Sequence, residues 1–296
     1  MEELKIARID VFQVGLPYRG GVYRLLGGRE YKSFDATIVR ITTQNGIAEI
    51  APKLIGLDPR RVDRVYDAMD AALVGHSHAK TALDVACWDI FGKATGLPIC
   101  ELLGGRTDVK MPIIDSCPVT GPAETLGDDP TVDAERIAAA LADKKPGVFV
   151  IVDANGGMTI KSALRMLRQL PPGLDFVLEA PCATWRETLA LRRRTDVPIF
   201  LDELAVGDES IIQIIADDAA DGIGLKLSKN GGLTKGRRHR DICVAAGLTI
   251  SVQETAGSEI ALSAIVHLGQ TIPGRNLRTI FGHPECCEPH DGRCGL

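Results

Sequence analysis

Residues 147–170 read GVFVIVDANGGMTIKSALRMLRQL. An unbroken apolar run, Phe149 to Val152, ends on Asp153, then Asn155 and two glycines, and leads into MTIKSALRMLRQL. Short apolar runs bounded by turn residues are the pattern of strands covered on both faces, and the segment that follows predicts a helix. Asp153 is the odd residue. A buried carboxylate is very costly unless it pairs, binds a metal or takes up a proton.

The same strand-then-helix grammar recurs downstream. DFVLEAPC, PIFLDEL, DGIGLKLS, LTISVQE and NLRTIF predict strands; TWRETLALRRRT, ESIIQIIADDAA, LTKGRRHRDICVAAG and SEIALSAIVHLGQ predict helices. Upstream, MPIIDSC is a strand candidate, and DPTVDAERIAAALADKK predicts a helix with Asp129 or Thr131 near its N-cap. Short strands alternating with helices imply parallel βα units, and so many in succession favour a TIM-type α/β barrel over an open sheet. No Gly-x-Gly-x-x-Gly or P-loop follows any strand, which argues against a dinucleotide-binding sheet. The first part of the chain differs. Residues 4–16 and 35–43 predict strands, Gln44-Asn45-Gly46 a turn, and residues 59–73 and 79–95 helices. The expected domains are an α+β lobe over 1–110, a barrel over 111–282 and an irregular tail over 283–296.

Composition narrows the function classes. The 296 residues are 45% hydrophobic and 25% charged, with net charge −5, which gives no basic surface for nucleic acid. No apolar run reaches the ~18 residues of a membrane span, and MEELKIARID lacks a signal-peptide core, so a cytoplasmic location is expected. Cys87, Cys100, Cys117, Cys182 and Cys243 stand singly in apolar or element-end contexts and read as reduced core residues. His76, His78, His239 and His267 read as surface or packing residues.

The strand ends carry the chemistry. Asp153, Glu179, Asp202 and Lys226 follow one another at steps of 26, 23 and 24 residues, one βα unit each. They fall at the carboxyl ends of the strands, where barrel active sites lie. Three neighbouring carboxylates repel unless a hard cation sits between them, and oxygen ligands without His or Cys suit Mg²⁺. The competing reading makes each acid a cap for the following helix. Lys226 is a candidate acid/base group near a cation, or else a salt-bridge partner of a strand-end acid. Lys229 lies nearer the loop with a similar case. Gln253 and Glu254 are candidate substrate contacts or helix caps.

VDANGG, LEAPC, FLDEL and GLKLSKNGGL together resemble the enolase superfamily, on its mandelate racemase and muconate lactonizing enzyme branch. FQVGLPYRGGVYRLLGGREY, LIGLDPRRVD, AKTALDVACWDIFGKATGLPICELLGGR and SVQETAGSEIA narrow the likeness to the hydroxyproline dehydratases within it. The resemblance implies an α+β capping domain over a modified (β/α)7β barrel, and Mg²⁺ held by Asp153, Glu179 and Asp202. It implies a lyase that removes the proton α to a carboxylate and eliminates water from a hydroxyproline-like substrate. Lys226 would be one acid/base catalyst, and Asn155 would orient a ligand or water. Racemase, epimerase and cycloisomerase chemistry use the same metal site. An oligomer is also implied.

Three departures stand out. No Lys-x-Lys lies between Cys117 and Asp153, where the family carries its second base, so one βα unit is expected to be absent. NGIAEIAPKLIGL is short where the family has a loop over the site. The tail FGHPECCEPHDGRCGL differs from the family's continuation; His283, Cys286, Cys287, His290 and Cys294 form a weak zinc pattern. The expected consequences are lowered stability and impaired catalysis, or a degenerate, non-catalytic homologue.

Overall fold

The computed structural model describes residues 5–17, 22–25, 29–42, 51–112, 129–254 and 258–281. The turn expected at Gln44–Gly46, most of the 111–117 strand and the cysteine-containing tail lie outside the described residues. The N-terminal part contains β1 (Arg8–Pro17), β2 (Tyr23–Leu25), β3 (Arg29–Tyr31) and β4 (Ser33–Thr42). β1 and β4 form an antiparallel pair running from Arg8 opposite Thr42 to Pro17 opposite Ser33, and β2 pairs with β3. Four helices follow: α1 (Ala51–Leu54), α2 (Val62–Ala72), α3 (Ser77–Thr95) and α4 (Ile99–Leu102). The β2–β3 hairpin, α1 and α4 carry no clear sequence period and were not expected from the sequence.

Beyond residue 129 the order is α5 (Pro130–Leu141), β5 (Ile151–Asp153), α6 (Ile160–Gln169), β6 (Val177–Glu179), α7 (Trp185–Arg192), β7 (Ile199–Leu201) and α8 (Asp208–Ala216). It continues with β8 (Gly222–Lys226), α9 (Leu227–Asn230), α10 (Leu233–Ala246), β9 (Thr249–Gln253), α11 (Glu259–Gly269) and β10 (Leu277–Phe281). Local chemistry starts the helices where expected. Asp129 accepts from Thr131 N–H, Thr159 and Ser162 form a capping box, and Thr184 accepts from Glu187 N–H.

The strands form one parallel sheet in the order β10-β9-β8-β7-β6-β5. Its helices pack on one another, α5 on α6, α6 on α7, α8 on α10 and α10 on α11. Sequential strand order with helices side by side puts the helices on one face, so the sheet curls around the other, as in a TIM-like domain. Ile280 on β10 reaches the helix face, where a Cβ on Gly269 of α11 would strike it. The opposite, inner face is polar: Ser251 meets Thr279, and Gln253 donates to Ser251 Oγ at 3.1 Å. Ile280 N–H donates to Pro112 O at 2.8 Å, which brings the start of the expected first strand alongside β10. At the other side, β6, β7 and β8 are buried throughout, whereas all three β5 residues are only half-buried.

One apolar cluster runs through both parts of the chain, from Ile6, Val65 and Trp88 to Leu201, Ile223 and Val252. Its junction contains a buried polar chain. Trp88 Nε1–H donates to Thr234 Oγ1 at 2.9 Å, and that hydroxyl donates to Asp84 Oδ1 at 2.5 Å. Asp84 Oδ2 accepts from Thr234 N–H at 2.9 Å. Asp84 on α3 thus caps α10, whose own N-cap, Gly232, has no side chain for the task. Gly232 sits at φ +100°, and a Cβ there would lie 2.5 Å from Asp84 Oδ2. Cys87, Cys100, Cys182 and Cys243 are buried free thiols, as their contexts predict. Among the described residues no helix is long and apolar enough to cross a membrane.

Candidate metal centre and active site

The parallel register sets the strand-end groups side by side. Asp153 pairs with Glu179, Glu179 with Phe200 two residues before Asp202, and Lys226 with Gln253. All four residues of the predicted series therefore stand at the carboxyl ends of adjacent strands. Glu179, Asp202, Lys226, Gln253 and Glu254 are buried, and Asp153 is half-buried.

The contacts divide the acids into two kinds. Lys226 Nζ donates to Asp202 Oδ2 at 2.5 Å, and Lys229 Nζ reaches the same oxygen at 2.9 Å and Glu203 at 3.6 Å. Glu179 instead accepts from the neutral amide of Gln253 at 3.0 Å. Asp153 Oδ1 accepts from the Asn155 N–H at 2.8 Å. Asn155, held at φ 47°, makes this contact through its main chain and is itself exposed. Glu254 accepts from the Ser228 N–H at 3.2 Å and from its hydroxyl. The strand expected to run to Ser228 ends at Lys226, because the chain turns into α9 and closes it with Gly231 and Gly232 at positive φ.

Electrostatics follow from this packing. Burial, with the neighbouring charges of Asp153 and Asp202, pushes the Glu179 carboxyl up to about 8. Burial also pushes Asp153 up to about 6 against the Asn155 hydrogen bond. Burial works to lower Lys226, but the charge and hydrogen bond of Asp202, with Glu179 and Asp153 behind them, hold the ammonium above the ordinary lysine range. Lys226 in this arrangement is an ammonium paired with Asp202. The salt-bridge alternative read from the sequence is the contact the structure contains.

Among the described residues no three His, Cys, Asp or Glu side chains are drawn together tightly enough to enclose a metal. The acids are aligned, with ammonium groups on Asp202. Two observations nonetheless fit a hard cation. Asp202 Oδ1 is buried with no hydrogen-bond partner, an acceptor that has lost water and gained nothing in return. The set is also all carboxylate oxygen, the donor chemistry of Mg²⁺. Of the histidines, His239 is buried and bonded to Asp208 at 2.8 Å, between α10 and α8.

A parallel α/β barrel sheet with acids and a lysine in register at its strand ends defines a class of barrel enzymes with a carboxylate-lined mouth. Residues 32–104 match the mandelate racemase/muconate lactonizing enzyme N-terminal domain, and residues 103–291 match the enolase C-terminal domain-like family. The chain belongs to the enolase superfamily, on the mandelate racemase/muconate lactonizing enzyme branch, and is by that membership an enzyme. It is 37% identical to a cis-3-hydroxy-L-proline dehydratase from Roseibium aggregatum, over 91% of this chain and 85% of that protein. A crystal structure assigned to the same branch, from Aspergillus oryzae, is 55% identical with TM-score 0.87, covering 97% of this chain and 89% of that one. Another, from Roseovarius nubinhibens and complexed with magnesium, is 44% identical with TM-score 0.89, covering 96% and 89%. Racemases and cycloisomerases match more distantly.

Proposed function

We propose that this chain carries the site of a Mg²⁺-dependent hydro-lyase acting on cis-3-hydroxy-L-proline, with Δ1-pyrroline-2-carboxylate as product. The observation that carries the reading is the register of Asp153, Glu179, Asp202 and Lys226 at adjacent strand ends. The substrate comes from the dehydratase relative. Asp153, Glu179 and Asp202 would hold the cation, which when bound stabilises negative charge developing on a substrate carboxylate. Lys226 Nζ would carry the proton moved on its face of the substrate. Lys229 and Glu254, beside it at the mouth, would contact the substrate.

The domain reading is a capping domain over 1–110 and a barrel over 111–282 that lacks one βα unit. Two facts support the missing unit. The match to the dehydratase spans 313 aligned positions, more than the 296 residues of this chain, so the relative holds residues that this chain lacks. β5, which ends the described sheet where the absent strand would lie, is only half-buried, unlike β6, β7 and β8. The stretch 113–128 contains no Lys, Arg or His. That favours a second reading, in which the chain binds Mg²⁺ and a carboxylate but turns over slowly or not at all for want of the opposing base. An oligomer is proposed on the same resemblance.

Solvent-deuterium exchange into cis-3-hydroxy-L-proline, with and without Mg²⁺, separates these readings. Mg²⁺-dependent exchange with elimination is the expected result for the lyase. Exchange without elimination would replace it with racemase or epimerase chemistry, and silence with retained Mg²⁺ binding would leave a binding protein. Turnover at the rate of an intact relative would refute the missing base.

A further inference from the structure

Glu179 and Gln253 lie on strands that are not neighbours. β7 and β8 run between β6 and β9 in the sheet. Their hydrogen bond, Gln253 Nε2 to Glu179 Oε1 at 3.0 Å, therefore crosses the inside of the curled sheet over β8. It passes where β8 has Gly224. A Cβ at that position would lie 2.6 Å from Glu179 Oε1, 3.2 Å from Gln253 Nε2 and 3.3 Å from Asp202 Cβ. Any other residue would push the carboxylate end aside. The amide is anchored in turn: Nε2 also donates to Ser251 Oγ at 3.1 Å, and Ser251 is bonded to Thr279 on β10. A buried chain of uncharged groups thus runs from β10 to Glu179.

We propose that Gln253 is a positioning residue that fixes Glu179 as a cation ligand, in a space that Gly224 keeps open. The role rests on the metal centre proposed above and adds to it how one ligand is aimed. Asp202 is held by two ammonium groups, whose charge competes with any cation. Glu179 is held by a neutral donor, which orients one oxygen without adding a positive charge that would compete with a cation. Outer partners of this kind set ligand geometry, and losing one typically weakens metal binding about 10–100-fold.

The test uses Mn²⁺ as the probe and the full chain, with bound and free ion separated by electron paramagnetic resonance. Gln253→Met keeps the side-chain length and removes the donor. Its Mn²⁺ dissociation constant is expected to rise about 10–100-fold, with an altered spectrum of the bound ion and an unchanged melting temperature of the metal-free chain. Gly224→Ala tests the same role from the other side, by displacing Glu179 while Gln253 stays, and is expected to weaken binding in the same direction. Wild-type affinity in both variants would overturn the role while leaving the metal centre standing. A loss of affinity matched by an equal loss of metal-free stability would reduce Gln253 to packing and overturn it too. Failure of the wild-type chain to bind Mn²⁺ would overturn the metal centre itself, and this role with it.

Discussion

Replacing Asp84 by asparagine is expected to change how stability depends on pH. Asp84 is fully buried between α3 and the start of α10. Burial pushes its carboxyl up to about 7, against hydrogen bonds from the Thr234 hydroxyl and the Thr234 and Leu233 amides. In the unfolded chain the group returns to its ordinary value of 3.8. The folded state therefore holds more protons than the unfolded state between about pH 4 and pH 7, and stability falls as pH rises through that window. At 1.36 kcal/mol per unit the full effect is about 4 kcal/mol, of which about 3 kcal/mol falls between pH 5 and pH 7. Asparagine resembles the protonated acid and does not titrate. Its amide loses one acceptor for Thr234, which costs about 1 kcal/mol. Urea unfolding of both proteins at pH 5, 6, 7 and 8 measures the difference. The variant should match the wild type at pH 5, where the cost of about 1 kcal/mol is offset by what the wild type has already lost, and should be the more stable by about 3 kcal/mol at pH 8. A difference that stays constant across the series would show that the three hydrogen bonds keep Asp84 ionised, and would refute the argument.

Asp202→Asn should remove Mn²⁺ binding and lower stability by about 3 kcal/mol, because the buried Lys226 ammonium loses its closest counter-charge; calorimetry of the metal-free variant checks the second part. Gly232→Ala should destabilise by about 1–3 kcal/mol in urea, since φ is +100° and the new methyl would meet Asp84 Oδ2.

The fold was legible where burial is two-sided. β6, β7 and β8 are continuous apolar runs in the sequence because helices cover one face and the curled interior the other, and the acids at their ends are spaced by the βα repeat itself. The site could be read in outline for the same reason: a regular repeat converts sequence spacing into strand register. What could not be read is whatever depends on tertiary meetings of polar groups. Gln253 looked equally good as a helix cap, because nothing local in the sequence indicates that Gly224 clears a path to Glu179 across two strands. Asp84 gave no signal, because it caps a helix 150 residues away. Lys226 ends β8, as the spacing suggests, but its charge state depends on acids from three other strands. The short α1, α4 and α9 are too brief to show a period, and the β2–β3 pair lacks a clear alternation.

The half-covered β5 has a further consequence. It carries Asp153, the first of the proposed ligands, on a strand less covered than β6, β7 and β8. A strand with few neighbours opens locally at a lower free energy than the strands packed within the sheet. Any ligand that binds only the closed strand raises that opening energy by RT ln(1 + [L]/Kd). Occupancy of the mouth and integrity of the sheet margin are therefore one equilibrium. A cation at Asp153 would act as a clasp on the barrel's loosest stave, and amide exchange at Ile151–Asp153 would report ligand binding.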